Sequence, residues 1–128
     1  MARQARPKLT SAQLEIMDLF WEHGELGVAQ VWAYLSARRR VARNTVQTML
    51  TRLVDKGWLQ ARAEGNAFLF RAARARKSAL RGIIGQLLDT AFAGSASGLI
   101  MTLLEARPLS PHEAQRVRAL IDMQEEKK

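Results

Sequence analysis

The apolar spacing of this chain switches from helical to alternating between Gly57 and Arg71, and that switch restricts its fold more than any other feature. Before it, three stretches carry helical spacing. Leu14, Met17 and Trp21, with Ile16 and Phe20 beside them, give a first helix a broad apolar face. Thr10-Ser-Ala-Gln13 is a capping box, Leu9 and Leu14 are placed for a hydrophobic staple, and His23-Gly24 ends the helix. Val28, Val31, Trp32 and Leu35 fall at i, i+3, i+4 and i+7 and predict a short second helix to Ser36. Val46, Met49, Leu50, Leu53 and Val54 predict a third from about Asn44 to Lys56, with Gly57 where a terminating glycine belongs. Then Trp58-Leu-Gln-Ala-Arg-Ala63 and Ala67-Phe-Leu-Phe-Arg71 flank Glu64-Gly65-Asn66. A β-hairpin is preferred there to a loop leading into another helix, because Phe68 and Phe70 alternate with Leu69 beside a turn signal.

After Ala73 the helical period returns. Leu80, Ile83, Ile84, Leu87, Leu88 and Ala91 form a stripe from about Arg76 to Phe92, which Gly94-Ser-Ala-Ser-Gly98 interrupts. Leu99, Ile100, Leu103 and Leu104 mark a fifth helix. Ser110-Pro111-His112-Glu113 opens a sixth, with Val117, Leu120 and Ile121 on its inner face and a tail from Glu125 to Lys128 expected to fray. Helix, helix, helix, hairpin is the order of a winged helix-turn-helix. The expected fold is therefore mainly α: a winged helix-turn-helix domain with a small β-hairpin wing over residues 1–75, then a helical dimerisation segment over 76–128. These last helices are too few for a comfortable core of their own. Leu80, Ile84, Leu87, Leu88, Leu99 and Leu103 are expected to pair two copies about a two-fold axis, the alternative being that they fold back on residues 1–75.

Charge narrows the partner. The chain of 128 residues carries a net +8, and residues 38–77 alone hold eleven basic and two acidic groups. A concentrated basic segment is the footprint of nucleic-acid binding, against the alternative of a solvated surface. The third helix turns Asn44, Thr45, Gln47, Thr48, Thr51 and Arg52 away from its apolar face. Such groups can read base edges or phosphates, and Gln47 suits bidentate pairing with adenine. Arg38-Arg39-Arg40 before it, and Arg62 and Arg71 on the hairpin, can reach phosphates. No cysteine is present, which removes disulfides, thiolate metal sites and Cys nucleophiles. His23 and His112 stand far apart beside helix ends, so neither catalytic machinery, metal nor cofactor is expected. No apolar run reaches membrane-spanning length, and the basic start Met1–Lys8 has no apolar stretch behind it, so a soluble cytoplasmic protein is expected. A winged helix that binds only other proteins would expose apolar or acidic residues on its third helix. A cationic membrane-surface protein would set its apolar stripes against one broad basic face. This sequence does neither.

Four blocks resemble the penicillinase-repressor family: Leu14-Glu-Ile-Met17 with Trp21; Thr45-Val-Gln-Thr48 with Arg52-Leu53 and Lys56-Gly57-Trp-Leu59; Gly65-Asn-Ala-Phe68; and Gly98-Leu-Ile with Leu104-Glu105 and Leu109-Ser110. The resemblance runs from about Leu9 to Ile121. It implies a homodimeric transcriptional repressor on a palindromic double-stranded DNA operator, in a family that controls β-lactam resistance genes or, in one branch, copper-handling genes. It implies Arg43, Asn44, Thr45, Gln47, Thr48 and Arg52 as the recognition-helix contacts, with Thr45, Gln47 and Thr48 nearest the bases. Arg43, Arg52 and Arg62 would lie nearer phosphates, and Asn66 at the wing tip. In the β-lactam branch a membrane sensor-protease leads to cleavage in the fifth helix between an Asn and a Phe; Thr102 and Leu103 occupy those places here. The copper branch carries a C-terminal cysteine motif that this chain lacks, so metal sensing by that route is not expected.

Overall fold

The computed structural model describes residues 9–127; the basic start Met1–Lys8 and the last residue, Lys128, lie outside it. The elements are α1 (Ser11–His23), β1 (Leu26–Gly27), α2 (Val28–Ser36), α3 (Arg43–Asp55), β2 (Leu59–Glu64), β3 (Ala67–Ala72), α4 (Arg76–Ala91), α5 (Ala96–Ala106) and α6 (Pro111–Glu126). They form two compact units, one running to Ile84 and the other from Gly85.

The first unit is a three-helix core carrying a small sheet. The Thr10 hydroxyl accepts from the Gln13 N–H at 3.1 Å, and the Thr10 N–H donates to Gln13 Oε1 at 3.1 Å, so the capping box closes. α1 buries Ile16, Met17, Leu19 and Phe20. Leu19 was not on the expected face, while Leu14 and Trp21 sit only partly inside. The stripe is rotated toward the sheet, since α1 packs against β3. The Trp21 indole N–H instead donates to the Arg74 carbonyl at 2.9 Å and ties α1 to the chain after the hairpin. In α2 only Val31 and Leu35 are buried. Trp32, expected on the apolar face, is 37% exposed and donates its indole N–H to the Val41 carbonyl at 2.9 Å, pinning the loop that leads into α3. α3 sinks Val46, Leu50 and Leu53 completely. It ends with Trp58 N–H on the Leu53 carbonyl and Gly57 N–H on the Val54 carbonyl, a Schellman motif. Gly57 takes φ +85°, a conformation any side chain would strain.

The hairpin pairs Arg62 with Leu69, Ala63 with Phe68 and Glu64 with Ala67. Gly65, at φ +61°, opens its two-residue turn, the placement of a type II′ turn. A strand missing from the sequence reading, β1, adds to the free edge of β3, giving the order β1-β3-β2. Its two residues are too few to show a period.

The second unit is thinly covered. α5 starts at Ala96, earlier than the Gly98 boundary expected, because the Ser95 hydroxyl caps it by accepting the Gly98 N–H at 2.9 Å. α6 begins as expected, with Ser110 and Glu113 in a capping box and Pro111 in the first turn. It stays helical to Glu126, and of the tail from Glu125 expected to fray, Lys128 lies outside the described residues. Val117, Leu120 and Ile121, expected to face inward, are exposed, at 37%, 64% and 45%. Neither α5 nor α6 has a buried residue.

Leu50→Ala should lower the free energy of unfolding by about 2 to 5 kcal/mol, since the side chain is wholly enclosed. The midpoint of urea denaturation checks this.

Candidate nucleic-acid interface

α3 presents two unlike faces. Each turn that buries an aliphatic residue turns polar groups outward, and Arg43, Asn44, Thr45, Gln47, Thr48, Thr51 and Arg52 are all exposed. The Thr51 hydroxyl donates to the backbone carbonyl of Gln47 at 3.0 Å, and the Gln47 side-chain amide has no partner among the described residues. Asn44, Gln47, Thr48, Thr51 and Arg52 line a shallow concavity of about 540 Å³ along the helix. Beside it runs a cleft of about 670 Å³ among α3, the hairpin and the start of α2, with Arg43, Gln47 and Thr51 from α3 and Ala61, Asn66 and Phe68 from the hairpin in its lining. The cleft thus brings Arg43 and Gln47 together with Asn66, the adjoining concavity holds Asn44, Thr48 and Arg52, and Thr45 is exposed on α3 but lines neither.

Electrostatics sorts the basic segment more finely than counting does. The Glu15 carboxylate holds both Arg38, at 2.9 Å, and Arg39, at 2.8 Å, anchoring the loop before α3 to α1. The Arg38 hydrogen bond is the largest influence keeping the Glu15 carboxyl below the usual range, and Arg39 adds to it. Arg62 is bound by Glu25 through Nε at 2.7 Å and Nη2 at 2.9 Å, and also by Glu64. Its guanidinium is the main reason the Glu25 carboxyl is lowered. Arg71 donates to Gln60. Arg74 donates to the Gly57 carbonyl and lies over the Trp58 ring at 5.0 Å. Arg40, Arg43 and Arg52 have no such partner among the described residues and can meet an anion without breaking a bond.

Three features escaped the sequence reading. Arg40 looked like one of three equivalent loop arginines. The partners Glu15 and Glu25 lie in a stretch whose charge nearly cancels. Phe68 stands 58% exposed beside α3 although it continues the alternation of the buried Phe70. Only the last had a signal, its distance beyond the core end of the strand.

Leu80, Leu88 and Leu99 are half-buried, and Ile84, Leu87 and Leu103 are exposed at 45%, 38% and 50%. Thr102 and Leu103 lie exposed inside α5. Among the described residues no group of three or more His, Asp or Glu could hold a metal ion, and no single helix is long and apolar enough to cross a membrane.

A helical core whose third helix has a free polar face, flanked by an antiparallel hairpin, is a winged-helix domain of the kind used by transcriptional regulators. The family model described as penicillinase repressor matches residues 9–123, and the chain belongs to that family. It is 25% identical over 122 residues to the penicillinase repressor of Bacillus licheniformis, covering 95% of both chains. The solution structure of monomeric BlaI from that organism, in complex with the blaP half-operator, matches 56% of this chain and 88% of its own with a TM-score of 0.50 and 32% identity. The regulator Tm0710 of Thermotoga maritima shares the fold over 91% of this chain and 74% of its own, with a TM-score of 0.53 at 16% identity.

Glu15 has a folded pKa below its ordinary value of 4.5, so its contribution to stability is complete above that pH and is lost as pH falls through the lower folded value. Glu15→Gln should therefore flatten the acid limb of stability against pH below about 4.5 and leave its shape near neutrality unchanged. Urea midpoints measured from pH 3 to 7, about the span over which carboxylates titrate, check this.

Proposed function

We propose that this chain is a homodimeric, sequence-specific transcriptional repressor that acts in the cytoplasm on a palindromic double-stranded DNA operator. The observation that carries the proposal is the exposed polar face of α3, on which the one acid is Asp55 in the last position, set above the fully buried stripe of Val46, Leu50 and Leu53. In this reading residues 1–75 bind DNA. Thr45, Gln47 and Thr48 approach base edges in the major groove, Asn44 stands beside them, Arg43 and Arg52 hold the flanking phosphates, and Asn66 marks the wing tip. The half-operator bound by BlaI supports a duplex partner.

Residues 76–128 pair two copies. Apolar side chains left 38% to 64% exposed support this, since helices that leave Leu87, Leu103 and Leu120 so open to water are short of a partner. A two-fold pair would set two copies of α3 on successive half-sites. Release proceeds by an inducing signal, with a membrane sensor-protease leading to cleavage between Thr102 and Leu103. That bond lies within α5, so α5 must open locally before a protease can take it in extended form.

Sequencing genomic fragments captured by the purified protein should return one shared inverted repeat, and capture without a common motif would overturn the reading. On that repeat, Gln47→Ala should cost roughly 1 to 3 kcal/mol and leave binding to unrelated duplex almost unchanged, as mobility-shift titrations would show. Leu87→Asp combined with Leu88→Asp should give monomers in sedimentation, with weak binding to the full repeat.

A further inference from the structure

The sheet has two chemically different faces. Side chains alternate along a strand, so the burial of Phe70 assigns Phe68 and their cross-strand partners Ala61 and Ala63 to the face that looks toward the helices. Arg62, Glu64 and Leu69 belong to the opposite face. In the order β1-β3-β2, Arg62 stands on one outer strand and Glu25 immediately precedes the other. The Arg62 side chain therefore crosses β3, a span of roughly 10 Å at ordinary strand spacing, to reach Glu25 with two hydrogen bonds. It fastens the hairpin to the body of the domain and faces away from the cleft beside α3. That cleft has a cation, Arg43, on its helix wall, while Ala61, Asn66 and Phe68 give its wing wall no charge.

We propose that the wing meets DNA through this uncharged inner face, with Phe68 against the deoxyribose edges of one strand, and that Arg62 is a positioning residue holding that face in place rather than a phosphate contact. The proposal rests on the reading that α3 enters a DNA groove. A strand laid along α3 then has its phosphates on the Arg43 side and its sugars on the Phe68 side. The exposed aromatic ring, flanked only by alanines across the hairpin, has a flat apolar surface of the right kind for them. Arg62 acts through Phe68, because loosening the strap lets the ring move off the strand.

The test uses the full chain and a labelled mixed-sequence 30-bp duplex titrated over a range of KCl concentrations, a site long enough for roughly three helical turns. If the unaltered protein shows no salt-dependent binding, the DNA-binding reading itself falls, before the wing is reached. If it binds, Phe68→Ala should weaken binding roughly fivefold, the low end for an aromatic contact to nucleic acid, with the slope of log affinity against log salt unchanged. Arg62→Ala should also weaken binding at unchanged slope, and should add nothing in a Phe68→Ala background. Arg62→Lys keeps the charge but loses the two-pronged grip on Glu25, so it should behave like Arg62→Ala; it also serves if the alanine variant fails to fold. A slope made shallower by about 0.9 in Arg62→Ala, with recovery in Arg62→Lys, would show a phosphate contact and overturn the proposal. An unaffected Phe68→Ala would overturn it equally.

Discussion

α3 has to satisfy two solvents at once. Val46, Leu50 and Leu53 have no exposure at all, while Gln47, Thr48 and Arg52, one or two positions away on the other side of the same helix, are open. Burying that stripe against α2 and the start of the hairpin fixes the rotation of α3 about its own axis. The rotation in turn decides which side chains can reach a groove. The Schellman ending at Gly57 then turns the chain straight into β2, so the wing arrives beside the helix without a long loop. Closing the core and building the reading surface are one event.

A second constraint is the disposal of charge. Eleven cations between residues 38 and 77 would repel one another and bind any polyanion indiscriminately if all were free. Carboxylates from the nearly neutral N-terminal stretch take several of them: Glu15 holds two loop arginines, and Glu25 holds Arg62. Exposed pairs of this kind add little to stability. Their effect is on placement, since they anchor the loop before α3 and the wing after it. Among the described residues, Arg40, Arg43 and Arg52, at α3 and its approach, are left without a partner, as is Lys77 in α4.

The C-terminal unit follows a different logic. Its caps at Ser95 and Ser110 are well made, yet α5 and α6 bury nothing. Capping stabilises the ends of helices but does not supply a core. Helices that are locally correct and apolar on the outside are a half-built interior, and a second copy of the same chain supplies the other half in the proposed dimer.

Much of this was legible in the residues alone, and the division is physical. Helix ends at Thr10, Gly57 and Ser110, the turn at Gly65, and the two faces of α3 depend on residues within a few positions of one another, so period and capping chemistry disclose them. The blocks around Thr45 and Lys56 disclosed the family for the same reason. Contacts between distant segments could not be read that way. The indole of Trp32 on Val41, the rotated stripe that buries Leu19, the two-residue strand β1, and Arg62 reaching 37 residues back to Glu25 are set by which elements the core brings together. Local sequence chose the elements and the chemistry on their faces. Packing decided which charges were neutralised, which aromatic was left in water, and so which groups remain to meet a partner.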